Sequence, residues 1–156
     1  LDVMSKIRGL PDFTVLWDRR TTLETGGETI EVLSLPDLVA AKKTQRDKDW
    51  PMITRLVEAH YAQHLDVTDE TVIRFWLREL RSPAILIDVA RSAPTVCESL
   101  LHARPLLQHA VAGSEELLKA TLREEEDAER EADRHYWAPL KRELEQLRRE
   151  HRRSRE

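Results

Sequence analysis

From residue 114 to residue 156 the chain has no glycine and one proline, Pro139, and charged side chains outnumber all others. Such a stretch cannot close a core of its own, and its alternating charged and leucine or alanine positions suit only a long helix leaning on other structure. Ser114 stands where a helix cap is needed. Residues 115–133 hold nine acids and three bases, and residues 134–156 hold four acids and eight bases. Acids first and bases last complement the helix macrodipole. Pro139 removes an amide donor and is expected to kink the helix. Beyond it Leu140, Leu144 and Leu147 make a short a/d-like seam, a candidate self-association surface but too short for a coiled coil. The basic residues in 148–155 either touch nucleic-acid phosphates or form a solvated helix end, and the acidic stretch 124–133 would repel a polyanion lying along the same helix.

The preceding residues punctuate themselves. Residues 1–7 have the Leu1, Val3, Ile7 pattern of a short strand, and Gly9 and Pro11 then break the chain. Asp12 can cap a short helix carrying Phe13, Leu16 and Trp17. Two extended stretches, 20–24 and 29–33, flank Gly26-Gly27, the pair a tight hairpin demands. Ser34 and Asp37 form a capping-box variant, with Pro36 in the first turn of a helix reaching Lys43. Trp50-Pro51 starts another helix, whose face holds Ile53, Leu56, Val57, His60, Tyr61 and His64. Asp66 or Thr68 caps a third, with Val72, Ile73, Trp76, Leu77 and Leu80 as its stripe. Residues 84–90, opened by Ser82-Pro83, are apolar nearly all round and belong at the centre of the core. Pro94 starts a helix with Val96, Leu100 and Leu101; Pro105 kinks or divides it, and Gly113 ends it. The expected fold is therefore α+β and mostly helical, in three parts: 1–49 with the β structure, a helical region 50–113, and the long charged helix 114–156.

Composition narrows the function classes. The net charge of −4 excludes nucleic-acid binding by bulk electrostatics. No apolar run reaches the roughly 20 residues of a membrane span, and no signal-peptide pattern opens the chain. Cys97 is the only cysteine, which excludes an internal disulfide and a cysteine-rich zinc site and suits a reducing cytosol. A cytoplasmic location without a membrane partner is expected. The chain opens on Leu1 inside a strand-like run, and reads as the C-terminal part of a longer product.

The richest stretch chemically is S-L-P-D-L-V-A-A-K-K-T-Q-R-D-K-D-W, residues 34–50. A capped helix there ends in Lys42 and Lys43, followed by Arg46, Asp47, Lys48 and Asp49. These bases can hold phosphates with the aspartates orienting them. The same pattern also describes a solvated turn laced with ion pairs. His60 and His64 have the i,i+4 spacing of a metal pair, but lie on an apolar face without an evident third ligand. His102 and His109 look structural or exposed, Trp50 and Trp76 read as packing residues, and Cys97, beside Glu98, reads as a buried inert thiol.

The order of Leu1-Asp2-Val3, a short helix with Trp17, the hairpin, then V-L-S-L-x-D-L-x-A-x-K over 32–42 and R-x-K-D over 46–49 resembles the second half of bacterial nucleotidyltransferase-fold proteins, relatives of the abortive-infection nucleotidyltransferase toxins. The resemblance covers about residues 1–60. It implies the trailing half of a nucleotidyltransferase-type mixed sheet, with Asp2 as the third, metal-binding catalytic carboxylate. It further implies Lys42, with Lys43, Arg46, Lys48 and Asp49, at the nucleotide phosphates, and an NTP and Mg²⁺ as substrate and cofactor. A nucleic-acid or protein acceptor and a toxin–antitoxin or phage-defence setting follow from the same resemblance. Met52 stands where the family often has a second aspartate. The family's glycine turn and first two carboxylates have no counterpart in these residues, so this chain alone is not expected to run the two-metal reaction. The alternative is a non-catalytic helical interaction module on a degenerate remnant of that fold.

Overall fold

Proline and polar caps place the helix starts, and the apolar stripes decide how the helices stack. A computed structural model describes residues 6–153. The element order is α1 (Phe13–Asp18), β1 (Thr21–Thr25), β2 (Glu28–Val32), α2 (Leu35–Lys42), α3 (Asp49–Gln63), α4 (Glu70–Glu79), α5 (Pro83–Ser92), α6 (Pro94–Leu100), α7 (Leu107–Val111) and α8 (Glu115–Arg153). The fold is mostly helical α+β.

The core is one cluster drawn from α2 to α8. Val39, Ile53, Val57, Leu77, Leu80, Leu86, Cys97, Leu107 and Leu118 are its fully enclosed side chains. As expected, α5 is central: it touches α4, α6, α7 and α8, and buries Leu86, Ile87, Val89 and Ala90. Pro105 divides α6 from α7, and Gly113 closes the segment with φ +70°. The positive φ is what favours glycine at Gly113; the nearest atom to an added Cβ, Arg91 Nη2 at 2.6 Å, is the movable end of a long side chain.

Among the described residues the β structure is one antiparallel hairpin. Thr21 pairs with Val32 and Thr25 with Glu28 around Gly26 and Gly27, both at positive φ. The strands fall one residue inward of the expected 20–24 and 29–33. The two-glycine loop sets the register by making Thr25 and Glu28 the last pair. The expected strand over 1–7 lies largely outside the described residues, and Lys6 and Ile7 are irregular. Neither α1 nor the hairpin buries a side chain fully. An apolar groove of about 520 Å³ runs between the 6–13 segment, α1, β2 and Tyr136.

Local chemistry corrects two expectations. Asp69, not Asp66 or Thr68, caps α4, its carboxylate accepting the Thr71 amide at 2.7 Å. Ser34 caps α2, but Asp37 does not reciprocate to its backbone. The Asp37 carboxylate instead takes the Ser34 hydroxyl at 2.6 Å and a two-pronged contact from Arg19. Pro139 lies within α8, which continues past it to Arg153.

The acidic half of α8 is its docking face. Glu125 receives Arg104, Glu129 and Asp133 receive Arg8, and Arg130 reaches Asp47 and Glu126. Leu118 and Leu122 sit in the core beneath these charges.

Candidate functional site

The turn between α2 and α3 gathers most of the candidate residues. Strand β2 leads into the Ser34 cap, the cap fixes α2, and α2 ends at Lys42. Asp49 starts α3 and is buried. Its carboxylate accepts the Thr44 hydroxyl at 2.6 Å and faces Lys42 Nζ at 4.0 Å. Thr44 Oγ1 in turn accepts the Arg46 amide at 3.1 Å, and the Thr44 carbonyl accepts Trp50 Nε1 at 2.9 Å. Asp49 thus places a buried negative charge at the outer limit of ion pairing with Lys42, whose side chain stays 37% exposed.

Lys43 has a different task. Its ammonium is 2.8–3.0 Å from the two carboxylate oxygens of Glu79 on α4, and its carbonyl accepts Arg8 Nη2 at 3.0 Å. It ties the turn to the body. Arg46 and Lys48 are exposed and form no ion pair among the described residues, while Asp47 pairs with Arg130 at 2.5 Å. The structure thus brings Lys42, Lys43, Arg46, Lys48 and Asp49 onto one turn, but gives Lys42, Arg46 and Lys48 the outward charge. Asp2 lies outside the described residues.

Besides Arg8 and Glu79, Asp133, Arg81 and Arg130 hold this turn from outside the motif, and sequence reasoning missed them. Asp133 on α8 is buried and accepts Arg8 Nε at 3.2 Å, the Gln45 amide at 3.0 Å and Trp137 Nε1 at 3.1 Å. The Arg81 guanidinium lies over the Trp50 ring at 4.6 Å, and that of Arg130 at 5.7 Å. Nothing in the acidic run marks Asp133 among its neighbours, because its partners come from residues 8 and 45.

Among the described residues no group of three His, Cys, Asp or Glu side chains is placed to hold a metal. Of the two carboxylates on the turn, Asp49 is buried and accepts from Thr44 while Asp47 is exposed and paired with Arg130, so these residues do not fit a Mg²⁺ site. His60 and His64 stack at 4.3 Å, and each Nδ1 is engaged. His60 Nδ1 accepts Trp76 Nε1 at 3.0 Å, and His64 Nδ1 donates to the His60 carbonyl at 2.7 Å. Burial, and secondarily the neighbouring His64, hold His60 below its ordinary pKa, consistent with a neutral ring accepting from Trp76. Cys97 is buried, and burial with the Glu98 charge pushes its thiol up, which disfavours a nucleophile. No helix of the described residues is long and apolar enough to cross a membrane.

Comparison with protein-family profiles, with curated proteins and with solved structures yields no match.

Proposed function

We propose that this chain is the trailing part of a nucleotidyltransferase-like protein, and that its α2–α3 turn engages the phosphates of an NTP. The observation carrying this reading is the turn itself: Lys42 near buried Asp49, with Arg46 and Lys48 exposed beside it and in no ion pair among the described residues. A turn held by internal hydrogen bonds and presenting exposed cations offers charge-assisted hydrogen bonds to a polyphosphate at little cost in backbone ordering. Lys43 serves as a tie to Glu79 rather than as a ligand. The uncovered apolar sides of α1 and the hairpin support a place beside a larger mixed sheet. Transfer of a nucleoside monophosphate to a nucleic-acid or protein acceptor, Mg²⁺, Asp2 as a metal-binding catalytic carboxylate, and a phage-defence or toxin–antitoxin setting belong to this reading by resemblance alone. A cytoplasmic location agrees with the single buried thiol.

Calorimetric titration of the chain with each NTP tests the phosphate role. Lys42→Ala with Arg46→Ala and Lys48→Ala should weaken NTP binding by about tenfold or more. The exposed Arg46 and Lys48 positions leave the fold intact. Unchanged affinity in that triple variant sinks the reading.

A second reading rests on α8, where Leu140, Leu144 and Leu147 are 44%, 43% and 53% exposed beside Tyr136. These residues offer a self-association seam on a non-catalytic interaction module. Truncation at Gly113 would also remove Leu118, Leu122 and Glu125 from the body, so substitution is the cleaner test. Light scattering should show an oligomer in the parent chain that Leu140→Lys with Leu144→Lys converts to monomer. A monomeric parent eliminates the seam.

A further inference from the structure

We propose that two copies of the chain associate reciprocally, the projecting end of α8 in each lying on the α1–hairpin face of the other. The inference rests on the second reading, self-association through α8, and names the surface that the leucines meet. Lys141 Nζ reaches Gln45 at 3.3 Å, and every described residue after it is exposed. About three turns of α8 therefore stand clear of the body, with Leu144 and Leu147 uncovered. A helix that short gains most of its stability from packing an apolar stripe against something else.

The leucine seam is poorly suited to a copy of itself. At the helical period of about 3.6 residues, Leu140, Leu144 and Leu147 fall on the side of α8 that carries Leu118, Leu122 and Asp133, the side docked on the body. Two seams laid parallel would drive the second α8 into the first body. Laid antiparallel, they would set Lys141 against the partner's Arg148 and Glu143 against the partner's Glu143, like against like on both flanks.

The α1–hairpin face complements the seam in shape of surface and in charge. Phe13 and Trp17 touch ring to ring, Leu23 pairs with Ile30 across the hairpin, and all four are exposed. Ile30 shares its strand face with Val32, which lines the apolar groove. That groove ends at Tyr136, one turn before Leu140, so the face and the projection bound a single notch. Residues 12–32 hold five acids and two bases, and the bases, Arg19 and Arg20, are spent on Asp37 and Glu31. Asp12, Asp18, Glu24 and Glu28 are exposed and form no ion pair among the described residues. The projection, 141–153, holds three acids against six lysines and arginines, and those six form no ion pair among the described residues. Each copy thus carries an apolar face edged by acids and an apolar stripe flanked by bases, and a two-fold axis pairs both at once. The contact uses none of the turn residues 42–49.

Light scattering of the intact chain is expected to give a dimer, and raising salt from about 0.05 M to about 0.5 M should weaken it by about tenfold. Phe13→Glu with Ile30→Glu, and separately Leu140→Lys with Leu144→Lys, should each give a monomer; none of the four positions is in the core. Mixing the two variants decides the matter. They should combine into a heterodimer, because the first keeps its projection, the second keeps its face, and the new lysines meet the new glutamates at the other contact. Glu24→Lys with Glu28→Lys, which leaves every apolar side chain in place, should weaken the parent dimer by about tenfold. A Phe13→Glu/Ile30→Glu chain that stays dimeric shows the seam meeting itself, and overturns this proposal while the second reading stands. Two monomeric variants that fail to combine overturn it as well. A monomeric parent overturns both the proposal and the second reading.

Discussion

Glu125→Gln is expected to destabilise the chain by about 3 kcal/mol, the lower end for stranding a buried charge because Glu125 keeps partial contact with water. Arg104 donates to both Glu125 oxygens at 2.8 and 2.9 Å, and two further donors go to the carbonyls of Leu77 at 2.7 Å and Leu80 at 3.1 Å. Those carbonyls belong to the end of α4, which has no following turn to satisfy them. One carboxylate thus holds the guanidinium that finishes α4 and docks α8 on the body. Substitution with glutamine keeps the shape and removes the charge opposing Arg104 and Arg81. Against a total stability of about 5–15 kcal/mol the loss is large and shows as a lower urea midpoint. Combining it with Arg81→Gln should recover part of the loss, since one of the two stranded cations is then gone.

The same carboxylate sets an acid limb. Burial raises the Glu125 pKa, but the Arg104 hydrogen bonds and the charges of Arg104, Arg81 and Lys43 outweigh it and hold the group below its ordinary value of 4.5. The unfolded chain therefore binds this proton at higher pH than the folded one. The pairing is fully present above pH 4.5 and is lost as pH falls through the lower folded value. Urea midpoints measured down through that window should fall more steeply for the parent than for Glu125→Gln. Parallel acid limbs, or a midpoint unchanged at neutral pH, would show that Glu125 does not hold this junction.

Asp133→Ala is expected to cost about 2–4 kcal/mol, and to release the candidate site as well. The side chain is 4% exposed and serves three donors from three parts of the chain: Arg8, the Gln45 amide and Trp137. Its loss leaves Arg8 Nε and the Gln45 amide without their acceptor, although Glu129 still pairs with the Arg8 guanidinium. Amide exchange at 44–48 should accelerate far more than exchange in α5. NTP affinity should drop even though no turn residue has changed. Uniform exchange throughout the chain would mean that Asp133 contributes only to global stability.

Local chemistry was legible where its partners lie close in sequence. Gly26-Gly27 marked the hairpin, Ser34 and Pro36 the start of α2, and Ser82-Pro83 and Pro94 the starts of α5 and α6. The apolar period of α3 and α4 picked out Ile53, Val57, Trp76 and Leu77 for the core. The Asp69 cap was missed by one to three residues, since several aspartates and threonines in 66–71 can each cap a helix and only the path of the chain selects one. Lys43 and Lys42 are neighbours of identical type, and sequence offered no basis for giving one to Glu79 and leaving the other beside Asp49.

The sequence by itself determined the helical class, the hairpin, the core faces of α3 to α5 in part and the reach of α8, because periodicity, caps and turn residues act over a few positions. The tertiary structure alone decided what the charges do. The acidic stretch 115–133 fits a helix dipole in one dimension, yet Glu125, Glu129 and Asp133 are spent on Arg104, Arg81 and Arg8. Charge acts through space and changes its worth with burial. Which cations remain free to meet a phosphate was therefore fixed only when α8 folded back across the body.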